Sequence, residues 1–317
     1  MEAIILKDFG NVDNLLKAEI PIPIVTENEV LVQVKAIGIN PVDIKTRKGK
    51  SLARSLKDFD PIILGWDISG IVTDTGKSVT SFKNGDEVFG MINFPGHGKA
   101  YAEYVAAPES HLALKPANIS HTEAAGACLA ALTAWQVLKQ HTKQGDRILI
   151  HSAAGGVGHY AVQMAKHLGA WVSGTSSGTN RDFVLSMGAS KHIDYENTRF
   201  EEVLKDLDFV LDTIGGDYID RSLKVLKEGG KIVCIPTVSA DNIEEKAALE
   251  GKTGLKFLVS SNGDDIKEIS YLLEKNIIKS YISKTFSLDE IQDAHRQLES
   301  GKTKGKIVVV PRKGSVA

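Results

Sequence analysis

Cysteine is scarce in this sequence, and its two examples, Cys128 and Cys234, lie far apart. That spacing excludes a disulfide framework and also a structural zinc lobe, which needs four clustered cysteines. Long apolar runs are absent too, so no segment has the length of a transmembrane helix. Residues 1–6 pass directly into a strand-like pattern without a signal-peptide hydrophobic region. These absences predict a cytoplasmic protein without a membrane partner.

An excess of one charge sign is also lacking, because 38 Lys and Arg residues face 40 Asp and Glu residues and the net charge is −2. Such a balance gives no general attraction to nucleic acid or to an acidic membrane, and we expect no nucleic-acid partner. The 317 residues are enough for about two domains. A hydrophobic fraction of 42% is enough for a sizeable core in each.

The most informative stretch is residues 147–168, where a strand, a glycine turn and a helix follow one another. A short apolar run leads into the turn SAAGGVG at 152–158, and apolar residues at helical spacing follow. This is the context of a dinucleotide-binding fingerprint. Gly155 lets the backbone approach a pyrophosphate, Gly158 lets the helix pack on the strand, and the helix start favours phosphate. The usual first glycine is Ala153 here, so the match to G-x-G-x-x-G is imperfect.

The pattern of strands and helices indicates two kinds of domain. Short strands with glycine turns dominate residues 1–115 and predict a compact, barrel-like β domain. From residue 122 a helix rich in Ala and Leu leads into alternating strands and helices, which predict a doubly wound parallel sheet. The strand after residue 305 is expected to rejoin the β domain, so that the nucleotide domain is inserted into it. We expect residues 313–317 to fray.

Six motifs occur in an order that resembles one family. They are GINPVD at 38–43, GWDISGIV at 65–72, GDEVFG at 85–90, LTAW at 132–135, AAGGVG at 153–158 and GKIV at 305–308. Together they resemble the zinc-independent quinone oxidoreductases, the zeta-crystallin-like branch of the medium-chain dehydrogenase/reductase superfamily. The resemblance covers nearly the whole chain. It implies an α/β protein with a GroES-like β-barrel catalytic domain, residues 1–120 and 277–317, and a Rossmann NADP-binding domain with a doubly wound parallel sheet, residues 121–276.

The resemblance also implies hydride transfer from NADPH to a small-molecule quinone or enone without a metal ion. Zinc alcohol dehydrogenases of the same superfamily hold zinc with Cys, His and Cys, and those places align with Asn40, Trp66 and Leu129, which are not zinc ligands. Cys128, one residue from the third place, is interpreted as a buried apolar group. Without a Lewis acid, alcohol oxidation is difficult, whereas an electrophilic alkene or quinone is still reducible. A homodimer is implied as well, with residues 255–259 as its candidate edge strand.

Residues after the second strand of the nucleotide domain favour NADPH over NADH. An NAD-specific fold places Asp or Glu there to bind the ribose hydroxyls, whereas residues 174–181 (GTSSGTNR) offer hydroxyls, an amide and a guanidinium. Arg181 suits a 2′-phosphate as a forked donor, and the resemblance places Tyr195 beside the adenosine. The predicted cofactor set is Ala154, Gly155, Gly156, Val157, Gly158, Ser176, Ser177, Arg181, Tyr195, Gly215 and Pro236, the last two following the fourth and fifth strands.

The resemblance places Asn40, Asp43 and Thr133 near the nicotinamide end. Asn40 is expected to donate an amide hydrogen bond to substrate or cofactor, Thr133 to bond the nicotinamide ribose or amide, and Asp43 to orient its neighbours. Lys45 stands where several relatives carry a tyrosine and is a candidate for attracting an anionic substrate. Purely local hydrogen bonds are the alternative for Asn40, which precedes a proline, and for Thr133, which lies in a helix. No side chain is identified as the proton donor, and water is the candidate.

Other functions stay open at the level of sequence. Within enzymes, the alternative is an enoyl-thioester or carbonyl reductase of the same superfamily, which the shape of the pocket would decide. In another class, the chain would be an NADPH-binding regulatory or RNA-binding protein with little turnover, because a fold does not fix a function. The balanced charge argues against a general RNA-binding surface.

Overall fold

The computed structural model describes residues 1–311. Its strands are β1 Glu2–Leu6, β2 Leu15–Glu19, β3 Glu29–Ile39, β4 Asp67–Thr75, β5 Glu87–Met91, β6 Tyr104–Pro108, β7 Leu112–Leu114, β8 Arg147–Ile150, β9 Trp171–Ser176, β10 Lys191–Asp194, β11 Leu207–Asp212, β12 Leu226–Cys234, β13 Thr253–Lys256, β14 Ile282–Ser287 and β15 Lys306–Val310. Its helices are α1 Pro41–Arg47, α2 Ala53–Leu56, α3 His121–His141, α4 Gly156–His167, α5 Arg181–Ser186, α6 Phe200–Val203, α7 Asp217–Leu223, α8 Ile243–Leu249, α9 Gly263–Glu274 and α10 Ile291–Glu299. The expected fraying of residues 313–317 lies outside the described residues.

The chain folds into two compact units. The first comprises Met1–Leu132 and Val259–Ala317, and the second comprises Thr133–Leu258. These ends differ from the expected boundaries at 120/121 and 276/277. The first difference arises because the start of α3 packs in the first unit, where Ala125 shares a buried cluster with Ala36 and Val308. The second arises because α9 packs against β7 of the same unit.

The first unit is built on a seven-stranded sheet with the order β14-β15-β3-β4-β5-β7, in which β6 also pairs with β3. Strand β3 is the centre of this sheet, because it pairs antiparallel with β15, β4 and β6. The β3–β4 register shifts twice, and such irregularities bend a strand and increase its twist. The last strand, β15, pairs with the end of β3 and so joins the first unit, as the sequence predicts.

The second unit contains a six-stranded sheet with the order β10-β9-β8-β11-β12-β13. Every neighbouring pair in it is parallel. Its central strands are apolar runs such as Ile148–Ile150, whose three residues are fully buried, as a sheet covered on both faces requires. The predicted doubly wound α/β fold is confirmed. Because the strands are parallel, their carboxyl ends lie along one edge, which is where such sheets bind ligands.

Local sequence patterns misplaced several elements. The candidate edge strand at 255–259 is β13, which spans Thr253–Lys256. Helix α1 was not predicted, because its face buries Asp43 and Arg47 instead of a run of apolar residues. Arg47 forms a buried ion pair with Glu299 of α10, which compensates its charge. No helix within residues 1–311 is both long and apolar enough to cross a bilayer.

Candidate active site

The glycine turn of the second unit joins the carboxyl end of β8 to α4. Gly155 is the N-cap residue of α4, and no side chain of residues 1–311 caps this helix end. The first N–H groups of the helix are therefore suited to bind a phosphate, which the helix dipole also favours. Gly158 allows the close packing of the helix on the turn, because a Cβ there would lie 2.1 Å from the Ser152 carbonyl oxygen.

The imperfect fingerprint has a structural explanation in the neighbouring strand. Ala153 replaces the usual first glycine, and its backbone N–H donates to the Thr175 carbonyl at 2.8 Å. A Cβ on Gly174 of β9 would lie only 2.7 Å from the Ala153 methyl carbon. The space for the alanine methyl is thus provided by a glycine on the adjacent strand.

Every residue of the predicted cofactor set lies at the carboxyl edge of the second unit's sheet. Residues 154–158 follow β8, Ser176 is the last residue of β9 and Ser177 follows it, and Arg181 begins α5. Tyr195, Gly215 and Pro236 follow β10, β11 and β12 in turn. The Arg181 side chain is 66% exposed and lies 3.7 Å from the carboxylate of the still more exposed Asp182. A guanidinium so weakly held is available to an incoming anion.

Hydroxyl and amide groups surround the end of β9. Ser177 Oγ lies 3.0 Å from Thr179 Oγ1 and accepts from Asn180 Nδ2 at 3.0 Å. Ser176 Oγ lies 2.8 Å from Nε2 of His192, a residue that the sequence did not single out. Such donors fit a phosphate, whereas a carboxylate at this position would fit the ribose hydroxyls of NAD.

The turns after β11 and β12 meet at the same edge. Asp212 accepts from the backbone N–H groups of Ile214 at 2.8 Å and Gly215 at 3.0 Å, which fixes the turn. Burial raises the pKa of Asp212. Gly215 has a φ of +79°, and Gly216 donates to the Ser239 carbonyl at 2.8 Å. Gly215 therefore lies close to the segment that follows Pro236.

The first unit holds a buried polar cluster that includes two of the predicted catalytic residues. Asn40 Nδ2 donates to Asp67 Oδ2 at 2.8 Å, and Lys306 Nζ donates to Asn40 Oδ1. Lys306 Nζ also donates to the Ile39 carbonyl at 3.0 Å and lies 4.0 Å from the Asp67 carboxylate. Asp43 accepts from the Asn40 backbone N–H at 2.5 Å. The amide of Asn40 is thus held at both ends, and Asp43 stabilises the start of α1.

Burial dominates the electrostatics of this cluster. It raises the pKa of Asp67 to about 6, although Lys306, the Asn40 amide and the Leu129 backbone N–H all lower it. It raises the pKa of Asp43 well above the usual range, with Asp67 adding to the effect, and it lowers the pKa of Lys306. Burial thus favours the neutral form of each group, and the pairing of Asp67 with Lys306 opposes this effect.

Sequence analysis assigned no role to Asp67, Lys306, Tyr101 or His295, although the structure brings them together near Asn40. The Tyr101 hydroxyl lies 2.9 Å from His295 Nε2, and both side chains are fully buried. One feature of the sequence could have revealed Asp67 and Lys306, because both occur inside otherwise apolar strands. A charged residue is seldom buried unless it is paired, so two such residues predict a buried pair.

The residues at the zinc-ligand places do not fit a zinc ion. The Asn40 amide forms hydrogen bonds with Asp67 and Lys306, and the Trp66 indole donates to the Gly96 carbonyl at 2.7 Å. Leu129 offers only an aliphatic side chain there. Within residues 1–311, no three His, Cys, Asp or Glu side chains gather as a metal site would require.

The other two predicted catalytic residues differ in exposure. Lys45 is partly exposed on α1, and within the described residues its amine has no ion-pair or hydrogen-bond partner. Thr133 is 4% exposed and is the first residue of the second unit, in the middle of α3. Lys45 is therefore the one available to attract an anion.

Comparisons with known protein families give matches in both units of the chain. The alcohol dehydrogenase GroES-like domain matches residues 26–117, and the zinc-binding dehydrogenase family matches residues 187–309. The 2-methylene-furan-3-one reductase of Solanum lycopersicum is 36% identical, over 98% of this chain and 79% of its own. The chloroplastic NADPH-dependent alkenal/one oxidoreductase of Arabidopsis thaliana is also 36% identical, over 98% of this chain and 80% of its own.

Solved structures show the same relationship. The quinone oxidoreductase from Coxiella burnetii is 37% identical with a TM-score of 0.94, over 98% of this chain and 99% of its own. The Escherichia coli quinone oxidoreductase complexed with NADPH is 28% identical with a TM-score of 0.87, over 98% of this chain and 100% of its own. The fold and the matched families together define a two-domain nucleotide-dependent oxidoreductase. The chain belongs to the medium-chain dehydrogenase/reductase superfamily, in the branch of the quinone oxidoreductases, which confirms the family that its motifs resemble.

Proposed function

We propose that this protein is an NADPH-dependent oxidoreductase that reduces quinones or activated alkenes such as enones and alkenals. The observation that carries the proposal is the carboxyl edge of the second unit, where an uncapped helix start, serine hydroxyls and Arg181 offer donors for a pyrophosphate and a 2′-phosphate. The names of the relatives bear out the predicted class of enzyme, because they include an NADPH-dependent alkenal/one oxidoreductase and quinone oxidoreductases.

The reaction needs groups that orient the substrate and stabilise negative charge on its oxygen. When bound, NADPH supplies a hydride, which is added to the β-carbon of an enone or to a quinone. The extra electron pair then resides on the substrate oxygen as an enolate or hydroquinone anion, which takes up one proton from water. We propose Lys45 and the amide N–H of Asn40 that Asp67 does not accept as the groups nearest to this charge. We also propose Thr133 as a partner of the nicotinamide or its ribose, and Asp43 as the residue that holds the start of α1.

The same proposal assigns no metal to the reaction. It is supported by the amide, indole and aliphatic side chains at the three zinc-ligand places, which cannot bind zinc together. An already electrophilic alkene or quinone needs less activation than an alcohol or a simple carbonyl. We therefore expect turnover to be unchanged by chelators.

The test is a panel of substrates with NADPH oxidation as the readout. We expect turnover with benzoquinones or alkenals and a lower rate with NADH than with NADPH. A clear preference for enoyl thioesters or simple carbonyls would instead support the alternative reductases. Tight NADPH binding without turnover on any member would support a binding protein, and loss of activity with chelators would contradict the metal-free reaction.

We further propose a homodimer formed through β13. This strand is at the end of the second unit's sheet and leaves one side without a described partner strand, and Leu258 just after it is 54% exposed. An open edge next to apolar side chains favours pairing with a second copy. Light scattering should give about twice the 34.3 kDa of one chain. Leu258→Lys should shift the mass toward the monomer, whereas Val203→Lys, near the opposite edge strand, should not.

A cytoplasmic location stays a prediction from the sequence pattern. The relative from Arabidopsis thaliana is named as chloroplastic, so the location of the family is not uniform.

A further inference from the structure

His192 is placed where the adenosine end of a dinucleotide would lie. Its Nε2 is 2.8 Å from Ser176 Oγ, and Ser176 Oγ in turn donates to the Ser177 carbonyl at 3.1 Å. The serine hydrogen is used on that carbonyl, and we assign the hydrogen of the His192–Ser176 contact to Nε2 on this pattern. The imidazole is thereby held against a residue at the carboxyl end of β9. In a dinucleotide fold, the end of the second strand is where the adenosine ribose binds, and that ribose carries the 2′-phosphate of NADPH.

The charged groups around His192 come from two elements. Asp194 lies on its own strand, and Arg181 and Asp182 lie on α5, which packs on that strand. Strand β9, the other neighbour, contains no titratable side chain. Burial lowers the pKa of His192 most, and Arg181 lowers it further. Asp194, a hydrogen bond with the Ser177 backbone and Asp182 raise the pKa, and the result is a lowered pKa. The free protein therefore holds this ring neutral at neutral pH, and a phosphate dianion would oppose that state.

We propose that His192 is a specificity-determining residue for the 2′-phosphate, because its protonation adds a cation beside Ser176 that favours NADPH and leaves NADH unaffected. This inference rests on the proposed NADPH-dependent function and adds to it a further binding residue and a dependence on pH. Arg181 carries a positive charge at every pH of interest, whereas His192 carries one only when its ring is protonated. Selection between the two cofactors then depends on pH.

The direction of the effect follows from linkage. NADPH prefers the protonated ring, so its binding raises the pKa of His192 above the value in the free protein. The contribution of His192 to NADPH affinity is largest when the ring is protonated in both states, and this contribution falls as pH rises through the free and then the bound pKa. NADH lacks the 2′-phosphate and shows little of this dependence. A unit charge at short range in a partly buried site corresponds to about a tenfold change in affinity.

The experiment is fluorescence titration of NADPH and NADH from about pH 5 to about pH 8, the range in which histidine changes charge. The variant is His192→Gln, which keeps a donor for Ser176 and is neutral at every pH. The control is His167→Gln, at an exposed position on α4. The 2′-phosphate itself titrates near pH 6, and its protonation weakens binding to Arg181 at low pH in all three proteins. A protonated His192 reduces this loss in the two proteins that keep the histidine. The difference between wild type and His192→Gln therefore isolates the histidine.

We expect the ratio of NADPH to NADH affinity to be about tenfold larger at low pH in wild type than in His192→Gln, and equal in the two at high pH. An identical pH profile in His192→Gln and wild type overturns this inference alone. Absence of NADPH binding at every pH, or binding that Arg181→Ala leaves unchanged, overturns the proposed function of the site as well.

A second measurement does not depend on the folding of the variant. The imidazole resonance of His192 in the wild-type protein, followed by NMR against pH, should show a pKa that NADPH raises and NADH does not. Equal values with the two cofactors contradict the assignment.

Discussion

Replacing Lys306 with methionine is expected to lower the free energy of unfolding by about 3–5 kcal/mol. The amine is 3% exposed and donates to the Ile39 carbonyl and to Asn40 Oδ1, and Asp67 beside it is fully buried. Methionine fills a similar volume but leaves two acceptors without a donor and a carboxylate without its cation. Urea unfolding at neutral pH measures the loss.

The control for this prediction is a double-mutant cycle with Asp67→Asn. In the double variant neither charge is buried, and the Asn40 amide can rotate so that its oxygen accepts from the new amide at position 67. We expect the double variant to be more stable than Lys306→Met alone by about 1–3 kcal/mol. If the single variant were as stable as wild type, or if the two substitutions were additive, the cluster would not be the coupled unit that its hydrogen bonds indicate.

The cofactor half of the site could be predicted from sequence for a physical reason. A parallel sheet brings the carboxyl ends of all its strands to one edge, so residues following separate strands are neighbours whatever their distance along the chain. Locating strand ends therefore predicted that Ser176, Arg181 and Gly215 lie at one edge of the sheet, which is where the structure has them. His192 was missed because it lies at the start of β10 in sequence and reaches the edge only by the contact of its side chain with Ser176.

The catalytic half was predictable only in part. Asn40 and Asp43 were identified through the family motif, but the partners that hold Asn40 are far away in sequence. Asp67 lies 27 residues after Asn40 in the sequence, and Lys306 lies 266 residues after it. Antiparallel pairing of β3 with both β4 and β15 brings them together, and a long-range register of this kind is not encoded in any local pattern. The sequence thus pointed to Asn40 and Asp43 as candidates without showing that Lys306 holds the Asn40 amide.

Gly158→Ala is expected to have the largest effect on cofactor binding. An added methyl would meet the Ser152 carbonyl oxygen at 2.1 Å and Ala153 Cα at 2.7 Å, and both are backbone atoms that cannot rotate away. The start of α4 would have to move away from the turn. We expect a loss of about 3 kcal/mol in the free energy of unfolding and a loss of about 100-fold in NADPH affinity, because the phosphate-binding N–H groups are displaced. Thermal unfolding and fluorescence titration measure the two effects.

Gly155→Ala is the matched control, three residues away in the same turn. Its backbone φ of −80° suits alanine. The nearest atom to its Cβ is the Ser152 hydroxyl at 2.8 Å, which can rotate, and the Ser152 carbonyl oxygen at 3.1 Å has to yield only slightly. A cost of about 1 kcal/mol or less in unfolding free energy is therefore expected. If the two alanine variants unfolded with the same free energy, the close approach of α4 to its turn would not be what requires glycine at position 158, and the geometry of the phosphate-binding edge would need another explanation.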